Sequence, residues 1–217
     1  MSVAVKICGL STMAAVDCAL SAGAEFIGLN FYPPSPRYVE LHAARELADR
    51  ARGRSKIVAL VVDADDELLS EIVDQRDPDI IQAHGSETPD RIAEIAEATG
   101  KPVIKAIKVR EQADVTAARA YQGTASMILY DAKAPDNLKN ALPGGNGIAF
   151  DWTLLSDGAA GKAEFMLSGG LDPDNVAEAI RLTQAPIIDV SSGVEQSPGE
   201  KNLDLIRKFI EAVRSAG

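Results

Sequence analysis

The chain has 217 residues, 46% of them hydrophobic and 25% charged, with two cysteines, two histidines and a formal net charge of -10. That length suits one domain, which at this size buries roughly 70% of its unfolded surface. The acidic balance argues against a nucleic-acid partner, whose phosphates demand clustered Lys and Arg, and two cysteines make no disulfide framework. The longest purely apolar run, residues 57–62, is too short to span a bilayer. Residues 1–10 lack a signal-peptide layout, their brief apolar run being interrupted by Lys6. The expectation is a cytoplasmic protein with no membrane partner.

In chain order, short β-branched runs alternate with helical patterns, the mark of repeated βα units around a parallel sheet. Strands are predicted over 4–7, 26–31, 56–62, 79–83, 103–107, 126–130, 164–167 and 186–190. Helices are predicted over 12–22, 41–51, 65–75, 89–99, 111–121, 172–183 and 202–215, the sixth opening on Asp172 as cap with Pro173 in its first turn. Between 131 and 164 the unit is weak, with one short helix at 152–156 and much glycine-rich loop. An open doubly wound sheet would carry G-x-G-x-x-G after its first strand, and Gly9 stands alone there. Eight strands therefore predict an α/β fold of the (β/α)8 or TIM barrel type, a single catalytic domain spanning 1–217.

Lys6 and Cys8 lie two apart at the end of the first strand and share a face. An ammonium beside a thiol favours the thiolate, the form that acts as base or nucleophile. On these residues alone a second reading stays open, with Cys8 a small buried hydrophobe and Lys6 a solvated charge. Cys18 falls in an alanine-rich helix and reads as structural, and His42 as a surface residue. Further strand ends carry Asn30, His84, Asp131, Ser168 and Asp189, with Gln82 sharing the inward face of His84. In a (β/α)8 barrel these ends converge on the face where active sites lie.

The later loops, Ser168-Gly169-Gly170-Leu171 and Ser191-Ser192-Gly193-Val194, follow the seventh and eighth strands, where barrels of this kind often hold a phosphate. Glycines let backbone amides approach an anion, and Gly144-Gly145-Asn146-Gly147 offers more of them. The expected partner is a small phosphorylated molecule. Carboxylates and histidines are scattered singly, without metal-ligand spacing. No heptad or isolated apolar stripe marks an interface, and a monomer is expected.

The segments KICGL (6–10), GLNFYPPSPRYV (28–39), IIQAHG (80–85), DAKAP (131–135), GGNGIAFDW (144–152), LSGGLDPDNV (167–176) and DVSSGVEQSPGEKN (189–202) resemble phosphoribosylanthranilate isomerase of tryptophan biosynthesis, in that family's order. Asn146 stands where the family's glycine loop commonly has threonine, and IIQAHG where it has LQLHG. The resemblance implies an Amadori rearrangement of N-(5-phosphoribosyl)anthranilate, with Cys8 as general base and Asp131 as general acid. It implies that Arg37, otherwise read as a solvated arginine after three prolines, engages the anthranilate carboxylate. It favours a substrate role for Asp189, whose other reading is to hold Lys6, while His84 either touches substrate or closes its strand. Internal proton transfers need no metal or organic cofactor.

The chemistry predicts a thiol helped toward thiolate by Lys6, and an Asp131 buried and shifted upward. Rival barrels differ at the same points. The related histidine-pathway isomerase has an aspartate where Cys8 stands, and a ribulose-phosphate epimerase binds metal through histidines this chain lacks. A non-catalytic phosphosugar binder would need neither Cys8 nor Asp131.

Overall fold

The structure is a computed structural model and describes residues 3–135, 142–158 and 164–216. Eight parallel strands close into a barrel in sequential order: β1 (Ala4–Cys8), β2 (Phe26–Asn30), β3 (Lys56–Val61), β4 (Ile80–Ala83), β5 (Val103–Val109), β6 (Met127–Ala132), β7 (Phe165–Leu167) and β8 (Ile187–Val190). The eight strands expected from sequence all form, and β8 pairs back onto β1 with Lys6 directly opposite Asp189.

Strand alternation gives the barrel two cores. Val58, Ile104, Ala106, Leu129, Met166 and Ile187 fill the interior. Residues of opposite parity, among them Val5, Ile7, Ile27 and Ile81, pack against the outer helices. At the upper end of the interior the inward positions turn polar, and the site begins there.

The helices are α1 (Met13–Ala22), α2 (Leu41–Ala51), α3 (Asp66–Arg76), α4 (Pro89–Thr99), α5 (Gln112–Ala117), α6 (Val176–Thr183) and α7 (Leu203–Ala216). Their starts follow local chemistry: the side chains of Thr12, Asp65 and Thr88 accept the N–H groups of Ala15, Leu68 and Arg91, and Pro89 occupies the first turn of α4. Among the described residues no helix is long and apolar enough to cross a membrane.

Three features differ from the sequence expectation. The fifth helix ends early and continues as a 3-10 turn, Ala118–Tyr121. The regular part of the sixth starts at Val176, after a turn over 173–175 that Asp172 caps as expected: its Oδ1 accepts from the N–H groups of Asp174 and Asn175, Asn175 Oδ1 accepts from the N–H of Asp172, and the Val176 N–H bonds to the Asp172 carbonyl. These reciprocal bonds form a capping box one turn ahead of the regular helix. Beyond β8 a small hairpin, β9 (Glu195–Ser197) and β10 (Glu200–Lys201), forms where no strand was expected, its residues too few and too polar to show alternation. The weak unit behaves as expected, with a 3-10 helix, Trp152–Gly158, between β6 and β7; residues 136–141 and 159–163 of that unit lie outside the described residues.

Below the loop after β4, Lys105 and Glu87 form a buried ion pair at 2.7 Å, and Glu87 also accepts from the N–H groups of Asp63 and Gly85. Burial alone would push the Glu87 carboxyl up, but Lys105, the Asp63 amide and the backbone amide of Glu87 itself outweigh it and hold the group below its ordinary value. A carboxyl depressed in the fold contributes stability above its unfolded pKa and loses it as pH falls through the folded one. Lys105→Met should destabilise the protein by about 3–5 kcal/mol in urea unfolding, because it strands a buried carboxylate. Lys105→Met with Glu87→Met should recover most of that loss and flatten the acid limb of stability.

Candidate active site

The inward ends of the strands open on one cleft at the barrel mouth. Cys8, Asn30, Arg37, His84, Asp131 and Asp189 line it, together with Gly145, the Ser168-Gly169-Gly170 loop and Ser192. Two residues expected at the site do not reach its wall. Lys6 lies fully buried and bonded to Asp189. Gly193 packs behind Ser192, where a Cβ would fall 1.8 Å from the carbonyl oxygen of Leu171.

Lys6 Nζ donates to Asp189 Oδ1 at 2.8 Å, and Ser168 Oγ donates to Asp189 Oδ2 at 3.1 Å. Burial opposes the Lys6 charge, yet Asp189 and Cys8 more than compensate and its pKa rises. Gly28, opposite Cys8 on β2, makes the room: a Cβ there would lie 2.9 Å from Cys8 Sγ and 3.3 Å from Lys6 Nζ.

The state of Cys8 corrects the sequence expectation. Burial pushes the thiol up, and this outweighs the pull of Lys6 toward thiolate. The lysine is weakened in that task because its charge is already met by Asp189, which itself pushes the thiol up, while Lys201 adds a smaller downward pull.

Asp131 is buried, as expected, with Oδ1 accepting from the Ala132 N–H at 2.9 Å. Its Oδ2 lies 3.2 Å from His84 Nε2, and His84 Nδ1 lies 2.9 Å from Gln82 Nε2. Thus His84 contacts the proposed acid across the barrel mouth as well as lining the cleft.

Arg37 is buried rather than solvated, at 5% exposure. Its Nε and Nη2 donate to the two carboxylate oxygens of Glu195 at 2.7 and 2.9 Å, and Nη2 also donates to Gly145 O. Lys201 Nζ donates to the same Glu195 at 2.7 Å and to Ser191 O at 2.9 Å. Glu195 and Lys201, presented by the hairpin after β8, are functional candidates that sequence reasoning missed. Their signal was an acid and a base in the loop after the last strand, indistinguishable there from surface charges.

Gly169 and Gly170 hold φ of 91° and 65°, and a Cβ on either would strike the backbone of Ala132 or Ala149. Only glycine fits that turn. Asn146 closes its own loop, accepting from Leu142 N at 3.0 Å and donating to Leu142 O at 2.8 Å. The asparagine that departs from the family pattern is thus a brace for the glycine loop.

A closed eight-stranded α/β barrel with a thiol, carboxylates and an imidazole gathered around a cleft at its carboxyl-terminal mouth is the layout of a barrel enzyme. The model of the family described as N-(5'-phosphoribosyl)anthranilate (PRA) isomerase matches residues 5–212, and the chain belongs to that family. It is 52% identical over 216 residues to N-(5'-phosphoribosyl)anthranilate isomerase of Rhizobium meliloti, covering 100% of this chain and 99% of that one. Among solved structures it is similar to phosphoribosyl anthranilate isomerase from Thermotoga maritima, with a TM-score of 0.87 and 32% identity over 98% of this chain and 99% of that one. A phosphoribosyl anthranilate isomerase in complex with reduced 1-(o-carboxyphenylamino)-1-deoxyribulose 5-phosphate matches with a TM-score of 0.84 and 31% identity over the same shares.

The raised thiol has a direct readout. In a Cys18→Ala background, alkylation of Cys8 by iodoacetamide should be slow at pH 7 and accelerate about tenfold per pH unit to beyond pH 9, since only the thiolate reacts. A rate that levels off below pH 8 would contradict the placement of this thiol.

Proposed function

We propose that the chain isomerises N-(5'-phosphoribosyl)anthranilate to 1-(2-carboxyphenylamino)-1-deoxyribulose 5-phosphate in tryptophan biosynthesis, as an aldose-ketose isomerase acting by an Amadori rearrangement. The reading rests on family membership and on one observation: Cys8, from β1, and Asp131, from β6, open on the same cleft. Asp131 gives its proton to the ribose ring oxygen as the C1–O bond breaks, and the anthranilate nitrogen lone pair forms the C1=N bond. Cys8, as thiolate, then takes the proton from C2, whose electron pair forms C1=C2 and neutralises the iminium. Protonation of the enolamine at C1, with loss of the C2 hydroxyl proton, yields the ketone.

The donors at Ala132 and His84 receive the carboxylate that forms when Asp131 gives up its proton. The thiolate of Cys8 is a strong base for C2 because burial denies it solvent, at the cost of a small thiolate fraction near neutral pH. Asp189, held by Lys6 and Ser168, faces the sugar hydroxyls from beside Cys8. No metal or organic cofactor enters these steps.

The anthranilate carboxylate finds its charge match at Arg37. Arg37 and Lys201 bring two positive charges against the one negative charge of Glu195, leaving a surplus of one cation for one anion. Glu195 occupies the Nε edge of the guanidinium and leaves Nη1, beside Gly145, for the substrate. The phosphate goes to the backbone of Gly169, Gly170 and Ser192, with Gly145 and Ser168 alongside, where amides rather than lysines supply the donors. The whole chain acts as one catalytic domain, a cytoplasmic monomer.

Turnover is read as decay of substrate fluorescence. Asp131→Asn should lower kcat by about 10²–10⁴, the usual weight of a general acid, with KM within a few fold. Turnover near wild type in that variant would refute the acid assignment, and a fluorescence shift without decay in the wild type would make the chain a binder instead.

A further inference from the structure

Gln82 lies two residues before His84 on the inward face of β4, fully buried, and lines the cleft. Its amide nitrogen is 2.9 Å from His84 Nδ1, while its amide oxygen is buried without a hydrogen-bond partner among the described residues. An amide nitrogen has only hydrogens to offer, so Nδ1 facing it must present its lone pair. A neutral His84 therefore carries its proton on Nε2 and donates it to Asp131 Oδ2, 3.2 Å away.

A buried amide oxygen left without a donor is costly. Turning the amide over would give that oxygen an Nδ1–H to accept from, but it would reverse the tautomer and turn the His84 lone pair toward Asp131. The unpaired oxygen thus accompanies a fixed direction of hydrogen bonding, from Gln82 through His84 to the carboxyl group.

We propose that Gln82 is a positioning residue that locks His84 in the neutral Nε2–H tautomer, so that His84 steadies the carboxylate formed each time Asp131 gives its proton to the ring oxygen. The inference rests on the reading of Asp131 as the acid. Gln82 touches no reacting atom and works through the imidazole.

The chain has two histidines, and the other, His42, is an exposed side chain. A His42→Gln variant labelled with ¹⁵N-histidine therefore reports His84 alone. Its two-bond ¹H–¹⁵N correlations should show the Nε2–H tautomer near neutral pH, and Gln82→Met in this background should show a mixture. Gln82→Met, nearly isosteric, should lower kcat about two- to tenfold, the weight of one neutral hydrogen bond and of the His84 population that leaves the Nε2–H tautomer, with KM within about twofold. Because the two residues act in series, Gln82→Met with His84→Gln should be no slower than His84→Gln alone.

An Nδ1–H tautomer or an imidazolium in the His42→Gln spectrum, which needs no change at Gln82, would overturn the proposal. So would a Gln82→Met variant that lowers kcat while His84 keeps its tautomer, or losses that add in the double variant. If Asp131→Asn is inactive and Gln82→Met turns over at the wild-type rate, the role of Gln82 fails and the acid stands. If Asp131→Asn retains turnover, the acid reading fails first.

Discussion

The ion pair between Lys6 and Asp189 is the contact on which the site depends. It forms across the seam where β8 meets β1, so it exists only when the barrel is closed. Neither charge would tolerate such burial alone, and together they set a neutral pair beneath Cys8. The pair leaves the thiol in a site whose burial outweighs the ammonium beside it. Fold closure and the protonation state of the proposed base are thus one question of packing.

Around that seam the rim separates its charges by task. Lys6 with Asp189 is neutral and lies under the proposed base. Arg37, Glu195 and Lys201 keep one surplus positive charge at the side of the cleft nearest Gly145. His84 and Asp131 face each other on the far strands, joined to Gln82 by hydrogen bonds. A chain of net charge -10 thus concentrates buried cations at its mouth, where an anionic substrate has to be met.

The barrel was legible because each strand is apolar on both faces and is bounded by polar or glycine residues, a local signal. The shared face of Lys6 and Cys8 was legible for the same reason, since strand spacing decides it. What could not be read locally came from residues far apart in the chain. Arg37 looked solvated because its partner, Glu195, arrives from 158 positions away on a hairpin with no alternation to announce it. The direction of the Cys8 shift depended on burial and on Asp189, 181 positions along, rather than on its sequence neighbour Lys6. The cap at Asp172 was legible, but the regular part of α6 begins one turn later, at Val176, because residues 173–175 form a turn and not yet a helix.

The central claim is that Cys8 and Asp131 flank one pentose from opposite strands. It is tested most directly by a crystal structure of this chain with reduced 1-(o-carboxyphenylamino)-1-deoxyribulose 5-phosphate. The expected result places Cys8 Sγ about 3–4 Å from C2 and an Asp131 oxygen about 3 Å from the C4 hydroxyl, the former ring oxygen, with the phosphate on the amides of Gly169 and Gly170. A pentose seated away from either group, or a phosphate held elsewhere, would contradict it.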